Sequence, residues 1–280
     1  MHVFDTPEPV SALVAVPAGR VSVQASDRPD TVVEVVAEDP DDDDDLAAAR
    51  LTQVEYSRGE LHVKTPRQKK NRWFGWSGSV EVRIQLPSGS RLDVEATADV
   101  HGTGRLGDTR LVISAGDVRL DETGRLQLRT QDGDVSVRRT LGHTEVTTTN
   151  GDIRVREIDG TAVAKTSNGD ITIGSVSGEL RLSTGSGDIT VGTAQAGVGA
   201  KSAYGRVEVG EVARGAVVAE SNHGEVEVGV RPGTSALLDV SSNSGEVQVT
   251  LDACDGPAET EESVRIRAHS TWGDILIRRA

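Results

Sequence analysis

The chain has 280 residues, 31 of them glycine and 2% aromatic, and its formal net charge is −14. So few aromatic side chains exclude a core built on bulky rings and favour a core of Val, Ile, Leu and Ala on many short strands. The negative charge excludes a general nucleic-acid binder, because phosphate contact needs clustered Lys and Arg.

The N-terminal segment MHVFDTPEPVSALVAVPAG has a short apolar run and no cationic start, so we expect no secretory signal. No stretch approaches the roughly 18 apolar residues of a membrane span. We therefore expect a cytoplasmic protein. The single cysteine, Cys254, lies in the acidic stretch DACDGPAETEES, which indicates an unreactive thiol.

Residues 1–105 are predicted to form a strand-rich N-terminal region. Apolar and polar side chains alternate in RVSVQAS, TVVEVVAED, LTQVEYS, ELHVKTP, SVEVRIQLP and RLDVEATADV. The run DPDDDDDLAAARL predicts a short helix or a mobile insertion, because Asp is favourable at a helix N-terminus. We expect this region to form the first, irregular coils of a solenoid or to cap its end, where strand edges would otherwise stay unpaired.

The stretch PRQKKNRWFGWSG, residues 66–78, is the candidate contact segment. It should form an exposed hairpin tip between two strands, and cations beside tryptophans suit an anionic membrane surface or a protein partner. The alternative is that its aromatic rings fold back over the end of the solenoid. The candidate residues are Arg67, Lys69, Lys70, Arg72, Trp73, Phe74 and Trp76.

Residues 106–280 repeat with a period of about 18 residues. An aliphatic pair such as Ile171 and Ile173 stands two and four positions after each turn glycine, and a second glycine falls halfway through most units. The pattern predicts an all-β fold in which each coil is strand, turn, strand, turn, and the stacked coils form a β-solenoid. The two regions, 1–105 and 106–280, are predicted to form one continuous structural unit. The turn glycines are Gly116, Gly133, Gly151, Gly169, Gly187, Gly205, Gly224, Gly245 and Gly273.

A hydroxyl position also recurs in the repeat. From the second unit on, a Thr or Ser such as Thr166 or Thr184 stands three residues before the turn glycine, and we expect these hydroxyls to face inward and to hydrogen-bond to one another. The segment VRIRAHSTWGDILIRR at the C-terminus is expected to close the stack.

The residue after the turn glycine is acidic in eight of nine units. A file of carboxylates could bind calcium, but one glycine with an adjacent Asp arranges too few oxygens around a cation. The structural interpretation, in which each Asp accepts turn N–H bonds, is therefore favoured. The file includes Asp134, Asp152, Asp170 and Asp188.

Catalytic and cofactor motifs are missing from the sequence. The six histidines have no metal-ligand spacing, and neither H-E-x-x-H nor G-x-S-x-G occurs. We predict no enzyme activity, no catalytic residue, no metal and no cofactor.

The repeats resemble a bacterial family of putative adhesins, also called toast-rack domains, whose hallmark is repeated S/T-x-G-D-I/V-x-V units. The resemblance covers most of the chain, and SGSVEVRIQLPSGSRLDVEATADV followed by the Gly-Asp turns has that family's order. It implies a strand-rich, solenoid-like domain of largely unknown function, associated in some members with cell-envelope stress systems or membrane proteins. No catalytic residues are implied.

The predicted function is a non-catalytic β-solenoid scaffold that docks at the inner membrane face and is linked to envelope stress. Its predicted partner is a protein or an anionic membrane surface, not nucleic acid, and copies are predicted to associate through the solenoid ends. Two alternatives stay open: a carbohydrate-binding or carbohydrate-active β-helix, for which the coil faces offer few aromatics, and a calcium-binding repeat protein.

Overall fold

The computed structural model describes residues 1–66, 78–251 and 262–280. The chain forms two compact units, Met1–Arg138 (unit 1) and Arg139–Ala280 (unit 2), and both are built almost entirely of β-strands. In the part of the chain that the structure describes, no helix has the length and apolar character of a membrane span.

Unit 1 combines two long strands with shorter ones and a helix. Unit 1 ends at Arg138, within strand β11 (Val135–Leu141). The other elements are β1 (His2–Asp5), β2 (Ser11–Ser26), β3 (Asp30–Ala37), α1 (Asp43–Leu51), β4 (Gln53–Ser57), β5 (Glu60–Lys64), β6 (Val80–Pro87), β7 (Arg91–Arg105), β8 (Thr109–Ala115), β9 (Val118–Thr123) and β10 (Leu126–Asp132).

The first long strand of the chain is not the first layer of its stack. Strand β2 pairs in parallel with β5 and β6 on one side and with β7 on the other. Its register with β7 shifts between Val16 and Gly19. Gly19 has φ of 125°, and an added Cβ would lie 2.0 Å from the backbone oxygen of Val80. Since only glycine fits this close approach, the irregularity is encoded locally.

Antiparallel strands end the parallel stack on the N-terminal side of unit 1. Strand β3 pairs antiparallel with β1 and β6, and β4 pairs antiparallel with β5. The prediction of a strand-rich N-terminal region that begins or caps the solenoid is confirmed. The proposed division at residues 105 and 106 stays a prediction.

Helix α1 lies where the aspartate run predicts it. Asp42 is the N-cap, and its side chain accepts hydrogen bonds from the backbone N–H groups of Asp44 and Asp45. The Asp45 carboxylate turns back into the unit and accepts from the Ser79 amide at 2.6 Å. The acidic run thus both starts the helix and ties it to the residues before β6.

Unit 2 is a stack of two-stranded coils. Each coil adds one strand to each of two parallel faces, so strands two apart in the chain are hydrogen-bonded neighbours. Its strands are β12 (Thr144–Thr147), β13 (Ile153–Asp159), β14 (Ala162–Asn168), β15 (Ile171–Val176), β16 (Leu180–Ser186), β17 (Ile189–Ala194), β18 (Val198–Tyr204), β19 (Val207–Val212), β20 (Gly215–His223), β21 (Val226–Val230), β22 (Ser235–Ser244), β23 (Val247–Val249), β24 (Ser263–Trp272) and β25 (Ile275–Arg279).

The pairing register equals the sequence repeat. Ile153 pairs with Ile171, and Ile171 pairs with Ile189, and all three side chains are completely buried. The stacked aliphatic core that the repeat predicts is confirmed.

The inward hydroxyls donate to backbone carbonyls and not to one another. Thr166 donates to the Gly151 carbonyl at 3.2 Å and Thr184 donates to the Gly169 carbonyl at 3.0 Å, which are turn carbonyls of the preceding coil. The expectation that these hydroxyls bond to one another was wrong, because the turn carbonyl lies within reach of the single hydroxyl proton. Thr166 and Thr184 therefore each tie one coil to the coil before it, whereas Thr130 and Thr148 donate to carbonyls two residues on in their own coil.

The C-terminal coil does not close the stack. Strand β24 lies between β20 and β22, and β25 lies between β21 and β23. The last coil in the chain is therefore the penultimate layer of unit 2, and β22 with β23 forms the outer layer. Residues 252–261, which connect the two layers and contain Cys254, lie outside the described residues.

The outer layer leaves part of the core open. Val247 and Val249 occupy inward positions opposite Ile275 and Ile277, yet they are 40% and 42% exposed. Association of copies through the solenoid ends stays a prediction.

Replacing Thr184 by Val should lower the free energy of unfolding by about 1 kcal/mol, because the partly buried turn carbonyl of Gly169 loses its hydroxyl donor. Thr172→Val, at an exposed outward position of β15, is the matched control and should change stability by less than about 0.5 kcal/mol. Urea unfolding of both variants measures this, and equal losses would contradict the role assigned to the inward hydroxyls.

Candidate functional site

The predicted contact segment cannot be placed. Its seven candidate residues, from Arg67 to Trp76, lie outside the described residues. The flanking strands are present, since β5 ends at Lys64 and β6 begins at Val80. Contact with a membrane or a partner through this segment stays a prediction.

The aspartate file has a defined bonding pattern. In unit 2 the Asp152 carboxylate accepts the backbone N–H of Asp170 at 2.8 Å, Asp170 accepts that of Asp188 at 2.8 Å, and Asp188 accepts that of Arg206 at 2.7 Å. In unit 1, Asp134 donates its amide to a carboxylate in the same way. The donor belongs to the turn of the following coil, so each carboxylate joins two successive turns.

This bonding pattern reduces the number of carboxylate oxygens available to a calcium ion. One oxygen of each carboxylate is already bonded to an amide, whereas calcium takes six to eight oxygen ligands. Among the residues that the structure describes, no group of three or more His, Cys, Asp or Glu side chains could hold a metal ion.

Three rings on successive layers of unit 2 form a row, here named the aromatic file: Tyr204, His223 and Trp272. The register pairs Tyr204 with His223 and His223 with Trp272. The rings of Tyr204 and His223 stack with centroids 4.9 Å apart, and Tyr204 and Trp272 are 61% and 59% exposed. Exposed apolar groups held in a row suit an interaction surface.

Sequence reasoning missed the aromatic file for a topological reason. His223 and Trp272 are separated by three strands in the chain, and they become neighbours because β24 lies against β20. The shared signal was weak: each ring residue directly precedes a turn glycine, as Tyr204 precedes Gly205.

A concave site of about 550 Å³, here named the trough, lies on the outer face of β16, β18 and β20. Its floor consists of Gly197 and Gly199 before and within β18, and of Ala216 and Val218 on β20. Small residues on two neighbouring layers therefore lie beside the longer side chains of the preceding layer. The trough follows directly from that difference in side-chain length.

The trough carries basic groups. Lys165, Arg181 and Lys201 line it, together with Glu179. Lys201 pairs with Glu220 at 2.8 Å, whereas the closest ion-pair distance of Arg181 is 4.0 Å, to Glu179. On the far side, Arg265 pairs in register with Ala216. This basic cluster stands out in a chain with a formal charge of −14.

Unit 1 has a groove of its own, with a volume of about 790 Å³. Leu13 and Ala15 lie along it, and Glu55, His62 and Asp93 are among its polar groups. Asp93 is bound by Arg110 at 3.3 Å, and His62 lies 3.5 Å from Glu60. The charged groups of this groove are mainly acidic, Glu55, Asp93 and Glu95 beside Lys64, whereas those of the trough are mainly basic.

A buried carboxylate holds the opposite face of unit 2 together. Glu227 on β21 accepts from Nε of Arg278 on β25 at 2.6 Å and also bonds to Arg206, and its side chain is 13% exposed. Burial raises the pKa of Glu227, but the hydrogen bonds and charges of Arg278 and Arg206 outweigh this effect, so the pKa lies below its ordinary value of 4.5.

Comparison with known proteins agrees with the repeat. The family model described as Toastrack DUF4097 matches residues 16–278. No curated protein matches the chain.

Two solved structures are similar over the whole chain. A putative adhesin from Bacteroides fragilis NCTC 9343 has 15% sequence identity and a TM-score of 0.40, covering 100% of this chain and 95% of its own. A putative cell adhesion protein from Clostridium sporogenes ATCC 15579 has 10% identity and a TM-score of 0.22, covering 100% of this chain and 98% of its own. At these TM-scores neither similarity bears on function.

Replacing Glu227 by Gln should lower the free energy of unfolding by about 1–3 kcal/mol at neutral pH, because two charge-assisted hydrogen bonds are lost. Since the folded-state pKa is depressed, this stabilisation is present above the unfolded-state pKa and disappears as the pH falls through the folded-state value. Urea unfolding across acidic to neutral pH should show the two proteins converging in acid.

Glu208→Gln is the matched control, because Glu208 lies 3.6 Å from Arg206 but is more exposed than Glu227. Its loss should stay below about 1 kcal/mol. A Glu227→Gln deficit that does not change with pH would show that the carboxylate charge is not the source of the stabilisation.

Proposed function

We propose that this chain, which belongs to the Toastrack DUF4097 family, is a non-catalytic scaffold that binds other molecules through the outer faces of its coils. The observation that carries the proposal is the in-register stack of unit 2, in which outward side chains repeat once per layer at about 4.8 Å. Because the buried core fixes every layer, these side chains are ordered before a partner arrives, which lowers the entropy cost of binding.

The contact segment gives the scaffold a second proposed role. We place the protein in the cytoplasm, where this segment would bind the inner face of the membrane. Its lysines and arginines would attract anionic headgroups, and its tryptophans would settle at the interface. The link to envelope stress that the family resemblance implies would follow from such docking. What supports this proposal is the composition of residues 67–76 and the two strands that hold the ends of the segment.

Vesicle binding tests the membrane role. The full chain should co-sediment with phosphatidylcholine vesicles that contain phosphatidylglycerol and not with pure phosphatidylcholine. The double variant Trp73→Ala/Trp76→Ala should bind several-fold more weakly. The variant Lys69→Gln/Lys70→Gln should lose about tenfold or more, since each basic residue contributes about 1 kcal/mol.

The control variant removes exposed aromatic rings outside the contact segment. Tyr204→Ala/Trp272→Ala deletes two exposed rings of unit 2 and should leave vesicle binding unchanged. Binding that survives the loss of Trp73 and Trp76 would remove the membrane role and leave the scaffold role to be judged on the coil faces.

A further inference from the structure

We propose that the outer layer of unit 2 is a self-association surface, on which strand β22 of one copy pairs antiparallel with β22 of a second copy. The surface is the open edge of the stack and not a coil face, so it is independent of the scaffold role. Three features support this dimer: the unpaired edge of β22, the incomplete burial of its inward side chains, and its symmetric sequence.

Strand β22 has an edge that no described strand covers. It pairs in parallel with β24 on one side, and within residues 1–66, 78–251 and 262–280 no strand pairs with its other side. Ser235 donates its amide to the carbonyl of Glu262, on the β24 side. Since backbone groups alternate in direction along a strand, the amides and carbonyls of Ala236, Leu238 and Val240 point to the open edge. Such a row of backbone groups is a template for pairing with another strand.

The edge of β22 lacks the features that usually keep edge strands unpaired. Protected edge strands are short or carry Lys or Pro. Strand β22 has ten residues and contains neither Lys nor Pro. Its one charged side chain, Asp239, forms an ion pair with Arg267 at 3.0 Å. The edge strands β1 and β4 of unit 1 have four and five residues, so the edge of β22 is longer than theirs.

The inward side chains of β22 are only partly covered. On β24, Ile266 is completely buried, whereas its register partner on β22, Leu238, is half-buried. The neighbouring inward residues of β22, Ala236 and Val240, are also half-buried. A strand added to the edge would bring a further layer of side chains over these three residues and remove apolar surface from water.

The symmetry of the edge favours a second copy over an unrelated peptide. The apolar residues Ala236 and Val240 flank Leu238 at the inward positions, and the hydroxyl residues Thr234 and Ser242 lie beyond them. An antiparallel pair with Leu238 on a two-fold axis places Ala236 opposite Val240 of the second copy. Each inward apolar residue then meets an apolar residue, and each inward hydroxyl meets a hydroxyl. Both copies therefore use the same surface, as a two-fold dimer requires.

Charge distinguishes this register from the neighbouring one. Moving the axis to Asp239 would keep inward residues opposite inward residues, but it would place two aspartates opposite each other, which is unfavourable. With Leu238 on the axis, Asp239 lies opposite Leu237 of the second copy. The paired segment, residues 234–242, is roughly 30 Å long, so the dimer would bury on the order of 1,000 Å². That area is small for a permanent complex, so we expect a reversible dimer.

Sedimentation equilibrium of the full chain measures the association. Between about 1 and about 300 μM the mass should rise from that of the monomer, 29.5 kDa, to that of a dimer and no further, because pairing occupies the β22 edge of both copies. Leu238→Lys should weaken dimerisation at least about tenfold, since two like charges would meet at the axis. Thr172→Lys adds the same charge at an exposed position of β15 and should dimerise like the parent protein.

Disulfide formation tests the register in a Cys254→Ser background, which has no other cysteine. Leu238→Cys should give a covalent dimer under mild oxidation, because hydrogen-bonded antiparallel partners have Cα atoms about 5.5 Å apart, a distance that a disulfide spans. Ser244→Cys, whose two copies would lie roughly 40 Å apart, should stay monomeric under the same denaturing analysis.

A second variant keeps the test valid if Leu238→Lys unfolds. Ala236→Pro removes one amide from the open edge, a position at which proline is tolerated, and should also weaken dimerisation. Thermal melting verifies that each variant is folded. Self-association through β22 is excluded if the chain stays monomeric throughout the concentration range or grows beyond a dimer. It is also excluded if folded Leu238→Lys and Ala236→Pro dimerise like the parent protein, or if Ser244→Cys cross-links as fast as Leu238→Cys.

Discussion

Parallel hydrogen bonding between residues one repeat apart is the constraint on which unit 2 depends. It places Ile153, Ile171 and Ile189 on one another and brings successive turns into backbone contact. At the turn, Gly169 has φ of 141°, and an added Cβ would lie 2.2 Å from the backbone oxygen of Gly151. The aspartate that follows then bonds to the amide of the next turn. The sequence repeats because every layer must meet the same steric and hydrogen-bonding requirements.

Stacking leaves unpaired strand edges at the ends of both units. A strand at the end of a stack has one unpaired edge, and chain termini fray easily. In unit 1 the early strand β2 lies between β6 and β7, and in unit 2 the last long strand, β24, lies between β20 and β22. Strands β2, β24 and β25 are therefore paired on both sides, whereas β1 at the N-terminus pairs with β3. In unit 2 the exposed layer consists of β22 and β23, an internal segment that the chain holds at both ends.

Most of the fold could be predicted from local signals, and most of the candidate site could not. The turn glycines with their aliphatic pairs predicted the strands, the register and the buried files, and the aspartate run predicted α1. The position of β24 was not predictable, because the inward residues of β22 and β24 fit the layer of β20 equally well by pattern. The aromatic file depends on that position. To predict the trough, side-chain sizes must be compared between neighbouring layers, as between Arg181 and Gly199. This comparison becomes possible once the register is known.

A direct measurement of the stacking constraint is the stability of two deletions, one of a full layer and one of half a layer. Removing residues 171–188 joins Asp170 to Ile189 and deletes one full layer, so the remaining layers keep their register. Removing residues 171–179 joins Asp170 to Leu180 and deletes β15 without β16, so every later strand moves to the opposite face of the stack. The stack predicts cooperative thermal unfolding, followed by circular dichroism, for the first deletion and its loss in the second. Equal behaviour of the two deletions would contradict it.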